Sequence, residues 1–264
     1  MIVPMPKVQG KLYTADNIGS FDSVINKFYI ITAATTIKES DMPVKAAMNE
    51  EFKIKGNNKK PQILIYHTHS QEDFSNSSGD DSTTIIGVGE RLTKILEDQF
   101  GYNVIHDKSE YDLVDGKLDR NEAYDQSREG VKKILEKYPS ISLILDIHRD
   151  GVNEGTRLVT EVNGKSTAQV MFFNGMSRFK TTGDIDYLYN PYLYENLALS
   201  LQMKVNAEAY YPGFARHIFL RAYRYNMHFK PKTLLIEAGA QTNTVEEMRN
   251  AMEILAELLH QVLS

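Results

Sequence analysis

The sequence predicts an α/β fold built around a largely parallel sheet. Three observations lead there. Nearly continuous apolar runs recur at Ile63–His67, Ile141–Ile147 and Thr233–Ile236, as strands covered on both faces require. Longer amphipathic segments, with apolar residues at three- and four-residue spacing, separate them. The chain of 264 residues, 42% hydrophobic and 25% charged, suits one sizeable domain plus an extension, with a core that needs no covalent staples.

Residues 1–58 differ from the rest and are expected to form an N-terminal extension packing on a domain at 59–264. This extension has a polar opening, a β-prone run Phe28–Thr32 and a short helix after Ser40. The polar stretch Lys55–Pro61 reads as a linker. Strand Ile63–His67 follows, then a helix carrying Val88, Leu92, Ile95 and Leu96 on one face and stopping near Gly101. Tyr102–His106 reads as a strand, and a helix from about Arg120 to Lys137 ends before Pro139. The buried strand Ile141–Ile147 runs into His148-Arg149-Asp150. Two β-prone runs, Thr156–Val162 and Ala168–Phe173, flank the turn dipeptide Asn163-Gly164 and predict an antiparallel edge hairpin. A helix from about Tyr192 to Ala209 and an alternating run Ala215–Arg221 precede strand Thr233–Ile236. The last helix opens with a capping box at Thr244-Val245-Glu246-Glu247 and turns Met248, Met252, Leu255, Leu258 and Leu259 toward the core.

Composition narrows the function classes. A net charge of −5 with scattered Lys and Arg argues against nucleic acid and against attraction to a membrane surface. With no cysteine there is no disulfide framework and no thiol nucleophile, so any metal takes His and carboxylate ligands. No run of about 18 apolar residues is present. The opening Met1–Pro6 has neither a charged nor an apolar signal region, which predicts a cytosolic chain or one whose targeting segment has been removed.

Three central strands end in ionisable residues: His67-Thr68-His69, His148-Arg149-Asp150 and Glu237. In open α/β sheets the carboxyl ends of strands converge on one crevice, so these groups can meet although they are distant in sequence. A single strand-end His ordinarily caps a strand, and a single Glu ordinarily faces solvent. Three such ends together point to a metal or acid–base site. Imidazoles with a carboxylate suit zinc with an open position for water, and Glu237 after an apolar strand suits a proton carrier. No Gly-x-Ser-x-Gly elbow is present, so Ser70 beside His69 does not indicate a serine hydrolase.

The segments ILIYHTHSQEDF (63–74), LDIHRD (145–150), YYPG (210–213), RYN (224–226) and LLIEAGAQTNTVEE (234–247) resemble stage II sporulation protein P, a family of cell-wall hydrolases. The resemblance runs in order from about residue 60 to the C-terminus and extends upstream over residues 11–58. It implies a three-layer α/β/α fold with a mixed, mostly parallel sheet, similar to the zinc amidases of peptidoglycan. It also implies a zinc-dependent N-acetylmuramoyl-L-alanine amidase with added endopeptidase activity on peptide cross-links. Those zinc amidases use a His, Glu, His ligand set, whose first and third members fall on His69 and His148, with the catalytic carboxylate on Glu237. The Glu of the sporulation family's own HTH-containing motif makes Glu72 the preferred middle ligand. The related amidases carry the middle Glu further on, where this chain has Gly79-Asp80-Asp81-Ser82. Asp80, Asp81 and His67 therefore remain alternatives to Glu72.

Arg149 would clamp a substrate carboxylate, stabilise an oxyanion, or pair with Asp146 or Asp150. Asn226 and Gln241 would line the groove or satisfy loop backbone. His106, His217, His228 and His260 are expected on the surface or in local contacts. Tyr187, Tyr189, Tyr192 and Tyr194 read as an aromatic cluster for core packing or for stacking on sugar rings. The resemblance further implies an N-terminal membrane anchor absent from this chain, location in the septal space between mother cell and forespore, and sporulation proteins D and M as partners. A catalytically weak peptidoglycan-binding scaffold is the rival reading.

Overall fold

A computed structural model describes residues 6–264. The Met1–Met5 opening, on which the targeting expectation partly rests, lies outside them. In chain order the elements begin with α1 (Phe21–Phe28), β1 (Tyr29–Ile31), α2 (Val44–Asn49), β2 (Ile63–Tyr66), α3 (Ile85–Asp98) and β3 (Val104–His106). Two short strands, β4 (Leu113–Val114) and β5 (Lys117–Leu118), precede α4 (Ala123–Lys137) and β6 (Leu143–Asp150). Next come β7 (Val159–Val162), β8 (Lys165–Ala168), β9 (Val170–Gly175), β10 (Arg178–Phe179) and β11 (Gly183–Asp184). The last elements are α5 (Leu193–Tyr210), β12 (Ile218–Arg221), β13 (Lys232–Ala240) and α6 (Val245–Leu263).

Seven strands make one sheet in the order β1-β12-β9-β13-β6-β2-β3. All neighbours pair in parallel except β9 and β13, so two parallel blocks run in opposite directions and meet at that seam. The sheet is therefore mixed and mostly parallel, with helices on both faces, as the sequence predicts.

Alternation along the strands sends successive side chains to opposite faces. On β2, Ile63 and Ile65 enter the large core that also holds Leu92 and Leu96 of α3, Leu201 of α5 and Leu255 of α6. Leu64 and Tyr66 enter the smaller core with Val131 of α4. On β6, Leu143, Leu145 and Ile147 face the large core and Ile144 the α4 side, which places Asp146 and His148 on the α4 side too. On β13, Leu234, Ile236 and Ala238 face the large core, which leaves Glu237 on the α4 side. Each fully buried Leu, Ile or Phe in these layers contributes roughly 1.5–3 kcal/mol of apolar transfer. The polar residues at the strand ends are thereby fixed by the packing of their neighbours.

The expected antiparallel edge forms differently. The hairpin is closed within β7 and β8, with Asn163 (φ 52) and Gly164 (φ 76) in the left-handed turn conformation that such short loops need. The run that follows does not extend it but enters the middle of the main sheet as β9. Every residue of β9 is buried, and only an interior position covers such a strand on both faces.

Residues before 58 contribute to the same sheet. Tyr29 and Ile30 pair with Ile218 and Phe219, Arg178 of β10 forms a two-pronged ion pair with Asp41, and Gln202 of α5 donates to the Ala47 and Glu50 carbonyls. The capping box of α6 is present: Glu247 N–H donates to Thr244 Oγ1 (3.3 Å) and Thr244 N–H to Glu247 Oε2 (3.0 Å).

Candidate active site

β2 ends at Tyr66, and the irregular segment beyond it carries His69 and Glu72. Two buried carboxylates shape that segment. Asp146 accepts Thr68 N–H (2.9 Å) and Thr68 Oγ1–H (2.7 Å), and Asp112 accepts Ser70 N–H (3.2 Å) and Ser70 Oγ–H (2.6 Å). Glu72 is then buried against the end of β6, where its Oε2 accepts Arg149 N–H (2.8 Å). Across the sheet, His148 and Glu237 stand at registered positions of β6 and β13.

These groups line one cavity of about 270 Å³, whose walls include His69, Glu72, His148, Arg149 and Glu237 together with Arg120, Tyr124 and Tyr225. The His69 and His148 ring centres are 5.2 Å apart, and His148 Nδ1 lies 4.0 Å from Glu72 Oε2. Tyr124 packs edge-on to His69 (5.7 Å) and stacks on His148 (6.5 Å), limiting both rings. His148 Nε2 sits 2.8 Å from Asp146 Oδ1. One carboxylate thus stands in charge contact with His148, without an aligned hydrogen bond, and holds through Thr68 the backbone beside His69.

Burial works against a charge on His148, but Asp146 first, then Glu72 and Glu237, outweigh it and push its pKa up to about 10. Burial also opposes the Asp146 carboxylate, which His148 and Thr68 hold below its ordinary value. His69 is driven the other way, to about 4, by burial and then by the His148 cation, so it offers a neutral imidazole. Burial raises Glu72, although His148 and the Arg149 N–H work against the rise. Glu237 is pushed up to about 8, mainly by burial and further by Glu72, Asp150 and Asp146, with His148 opposing.

Among the described residues, no three His, Asp or Glu side chains stand in ready-made coordinating geometry. The donor chemistry nevertheless fits zinc. His69 Nδ1 and Glu237 Oε2 are buried without a hydrogen-bond partner. The 4.0 Å between His148 Nδ1 and Glu72 Oε2 is within the span of two donors each ~2.0–2.2 Å from one ion. With Nε2 turned to Asp146, Nδ1 is the free ring nitrogen of His148, the carboxylate–histidine arrangement common behind metal ligands. A cation in the cavity would also favour Glu72 and Glu237 as carboxylates.

The alternative ligands lie elsewhere. His67 is buried, with Nδ1 on the Ile147 carbonyl (2.8 Å) and Nε2 2.9 Å from His106 Nε2, so both ring nitrogens are committed. Asp80 is exposed and accepts Ser82 N–H (2.8 Å), and Asp81 is exposed in the same turn. Arg149 lies 3.6 Å from Asp73 rather than pairing with Asp146 or with Asp150, which binds Arg216 (2.7 Å). Asn226 donates to the Tyr124 carbonyl (2.8 Å), and Gln241 brackets the Val152 backbone. His260 stacks on Phe100, His228 stacks on Phe229, and His217 is exposed. The four tyrosines do not pack as a core cluster: Tyr187 and Tyr189 are 77% and 69% exposed, while Tyr194 bonds Glu50. Tyr187 and Tyr189 lie in the short turn and irregular stretch after β11, whereas Tyr192 directly precedes α5 and Tyr194, in its first turn, packs half-buried against the large core.

The family model for stage II sporulation protein P matches residues 25–260, nearly the whole described chain. The chain belongs to the stage II sporulation protein P family. A curated relative of that name from Bacillus subtilis (strain 168) is 26% identical over 218 residues, covering 77% of this chain and 51% of its own length. The chain thus spans about half of that relative.

Among solved structures, the CwlD amidase of Clostridioides difficile, in complex with the GerS lipoprotein, is similar at a TM-score of 0.47 and 15% identity. That match covers 76% of this chain and 98% of CwlD. The N-acetylmuramyl-L-alanine amidase Ami1 of Mycobacterium abscessus gives 0.45 and 14%, covering 78% and 100%. The amidase AmiC2 of Nostoc punctiforme gives 0.46 and 15%, covering 79% and 97%. Among the described residues, no helix of this family member is long and apolar enough to cross a membrane.

Sequence reasoning missed Asp112, Arg120, Tyr124 and Tyr225, and named Asp146 only as a partner for Arg149. Asp146 carried a usable signal, since it lies two residues before His148 on the same strand face. Asp112 and Arg120 lie outside the main sheet and helices, in the stretch around β4 and β5, and had none.

Proposed function

We propose that this family member is a zinc-dependent peptidoglycan hydrolase, an N-acetylmuramoyl-L-alanine amidase with additional endopeptidase activity on peptide cross-links. The observation that carries the reading is that His69, Glu72, His148 and Glu237, brought from three separate segments, line one cavity. Family membership supports a cell-wall substrate, and the relative's name supports a role in sporulation. The same reading gives the full-length protein a membrane anchor, a place in the septal space, and sporulation proteins D and M as partners.

His69, Glu72 and His148 would hold the zinc ion. When bound, it supplies Lewis acidity that polarises the amide carbonyl and acidifies water. The protein residues do the rest. Asp146 fixes the His148 ring, with Tyr124 packed against both imidazoles. Glu237, with one free carboxylate oxygen, takes the proton of the attacking water and passes it to the leaving amine. The Arg149 guanidinium, only 15% exposed, brings positive charge to the same cavity for the oxygen of the cleaved carbonyl.

The test is hydrolysis of purified sacculi with and without a chelator, with products identified by mass spectrometry. Glu237→Gln is expected to keep zinc and to lose activity by roughly 10²–10⁴-fold, whereas His148→Ala loses the metal. Chelator-resistant cleavage, or full zinc occupancy in both His69→Ala and His148→Ala, would overturn the reading. Binding to sacculi without cleavage would favour the scaffold instead.

A further inference from the structure

A second cavity, of about 450 Å³, adjoins the catalytic one and shares Arg120, Tyr124 and Tyr225 with it as common walls. Beyond those walls it is lined by Arg128, Tyr223 and Arg224 among others, and Asp125 is its one carboxylate. Asp125 is already engaged by Arg128 (2.6 Å), and Arg120 leans toward Glu72 (3.5 Å). Arg224 differs from both. Among the described residues no carboxylate stands within ion-pair distance of it. Its Nη1 donates to the Tyr189 carbonyl (3.1 Å), and its buried Nε has no acceptor. Burial and the nearby Arg128 both disfavour its charge. A half-buried guanidinium with a free donor and a like charge beside it is stabilised when an anion arrives.

The backbone points the same way. Tyr225 (φ 52) and Asn226 (φ 56) both occupy the left-handed region that bulky residues avoid, directly after Arg224. Asn226 anchors the strained turn to α4 through the Tyr124 carbonyl (2.8 Å) and Ser127 Oγ (3.1 Å). Gly175, at the end of β9, lets the turn approach so closely that a Cβ there would lie 2.3 Å from the Tyr223 carbonyl oxygen. Packing thus holds in place a segment that presents Tyr223, Arg224 and Tyr225 along one side of the joined cavities.

We propose that this arginine-lined cavity receives the free carboxylate of the substrate's second peptide residue, with Arg224 as the residue that recognises it. The proposal rests on the amidase reading. If the amide to L-alanine is cut in the first cavity, the next residue of the peptide passes the shared wall of Arg120, Tyr124 and Tyr225. In an L-alanyl-γ-D-glutamyl peptide that residue carries a free α-carboxylate, which a guanidinium binds and which amidation neutralises. The tyrosines flank the peptide, and the arginine reads its charge.

Two muramyl peptides, one with the free α-carboxylate and one with the carboxamide, test this on the zinc-loaded chain. The wild type is expected to show a kcat/KM at least ~10-fold higher for the carboxylate, and Arg224→Gln to bring the ratio near unity by slowing that substrate alone. Arg224→Lys, which keeps the charge, retains part of the preference. A wild-type ratio of one, or an equal fall for both substrates in Arg224→Gln, overturns the subsite while leaving the hydrolase reading intact. Calorimetric titration of Glu237→Gln with the released peptides, acid and amide, separates the two ideas. Carboxylate-selective binding without cleavage by the wild type supports the subsite and removes the amidase reading. Equal affinity for acid and amide overturns the subsite. Absence of both binding and cleavage overturns both.

Discussion

Asp146→Asn removes one negative charge from beside the catalytic cavity while leaving the side-chain volume unchanged. Asp146 is 1% exposed, and its polar neighbours include Thr68 N–H at 2.9 Å, Thr68 Oγ1 at 2.7 Å and His148 Nε2 at 2.8 Å. An Asn keeps one acceptor oxygen for Thr68 N–H and His148, and its amide nitrogen must donate to Thr68 Oγ1. That hydroxyl can turn toward Ser127 Oγ, 3.2 Å away, so the bonds survive in number but not in charge. Exchanging charge-assisted bonds for neutral ones costs about 1 kcal/mol each, and relief from burying a carboxylate offsets part of the sum. A net loss of about 1–3 kcal/mol of stability follows.

The larger effect falls on the metal. Without the carboxylate's charge the contact that turns Nδ1 of His148 toward Glu72 is weakened, and zinc affinity drops by roughly 10–100-fold. Urea unfolding of the metal-free protein measures the first effect, and competition against a chromophoric chelator measures the second. Zinc affinity equal to that of the wild type in a normally folded Asp146→Asn protein would refute the orienting role.

Away from the site, Glu247 sets an acid limit on stability. Burial opposes its carboxylate, but the Thr244 N–H, Asn243, Ser166 and Arg157 together hold its pKa below the ordinary 4.5. Its contribution is therefore present above that value and is lost as pH falls through the lower folded value. In Glu247→Gln the drop in stability below about pH 5 should be shallower than in the wild type, and identical pH profiles would refute the linkage. Gly89→Ala inverts the usual gain of about 1 kcal/mol for alanine in a helix. The new Cβ would meet His67 Nε2 and His106 Nε2, each at 2.6 Å, so the urea midpoint should fall, and a rise would show that the buried ring pair yields easily. Phe172→Ala empties a fully buried position in β9 and should cost about 3–5 kcal/mol by calorimetry. A loss under about 1 kcal/mol would mean that the strand is not held as an interior one.

Much of the architecture was legible because burial writes itself into residue order. Runs such as Ile63–Tyr66 and Leu143–Ile147 are apolar at nearly every position, and the Thr244/Glu247 box marks the start of α6 without reference to anything distant. The place of Val170–Gly175 was not legible. Strand order is decided by pairing between distant segments, and an apolar run next to a turn dipeptide looks the same whether it closes a hairpin or crosses the middle of a sheet. The exposure of Tyr187 and Tyr189 was hidden for a similar reason, since aromatic composition does not say whether a neighbouring element will cover it.

By itself the sequence placed His69, His148 and Glu237 toward the carboxyl ends of three buried strands, because nearly continuous apolar runs mark strands covered on both faces and these residues directly follow such runs. A shared family pattern supplied Glu72. Tertiary structure alone decided that Glu72 faces His148 while His67 turns to Ile147 and His106, and that Asp112, Asp146, Arg120 and Tyr225 complete the surroundings. Those residues are far apart in the chain, and their directions depend on which faces the packed helices leave open. A short sequence window encodes how a segment buries its own surface, whereas the meeting of side chains from separate segments is fixed only when the layers close on one another.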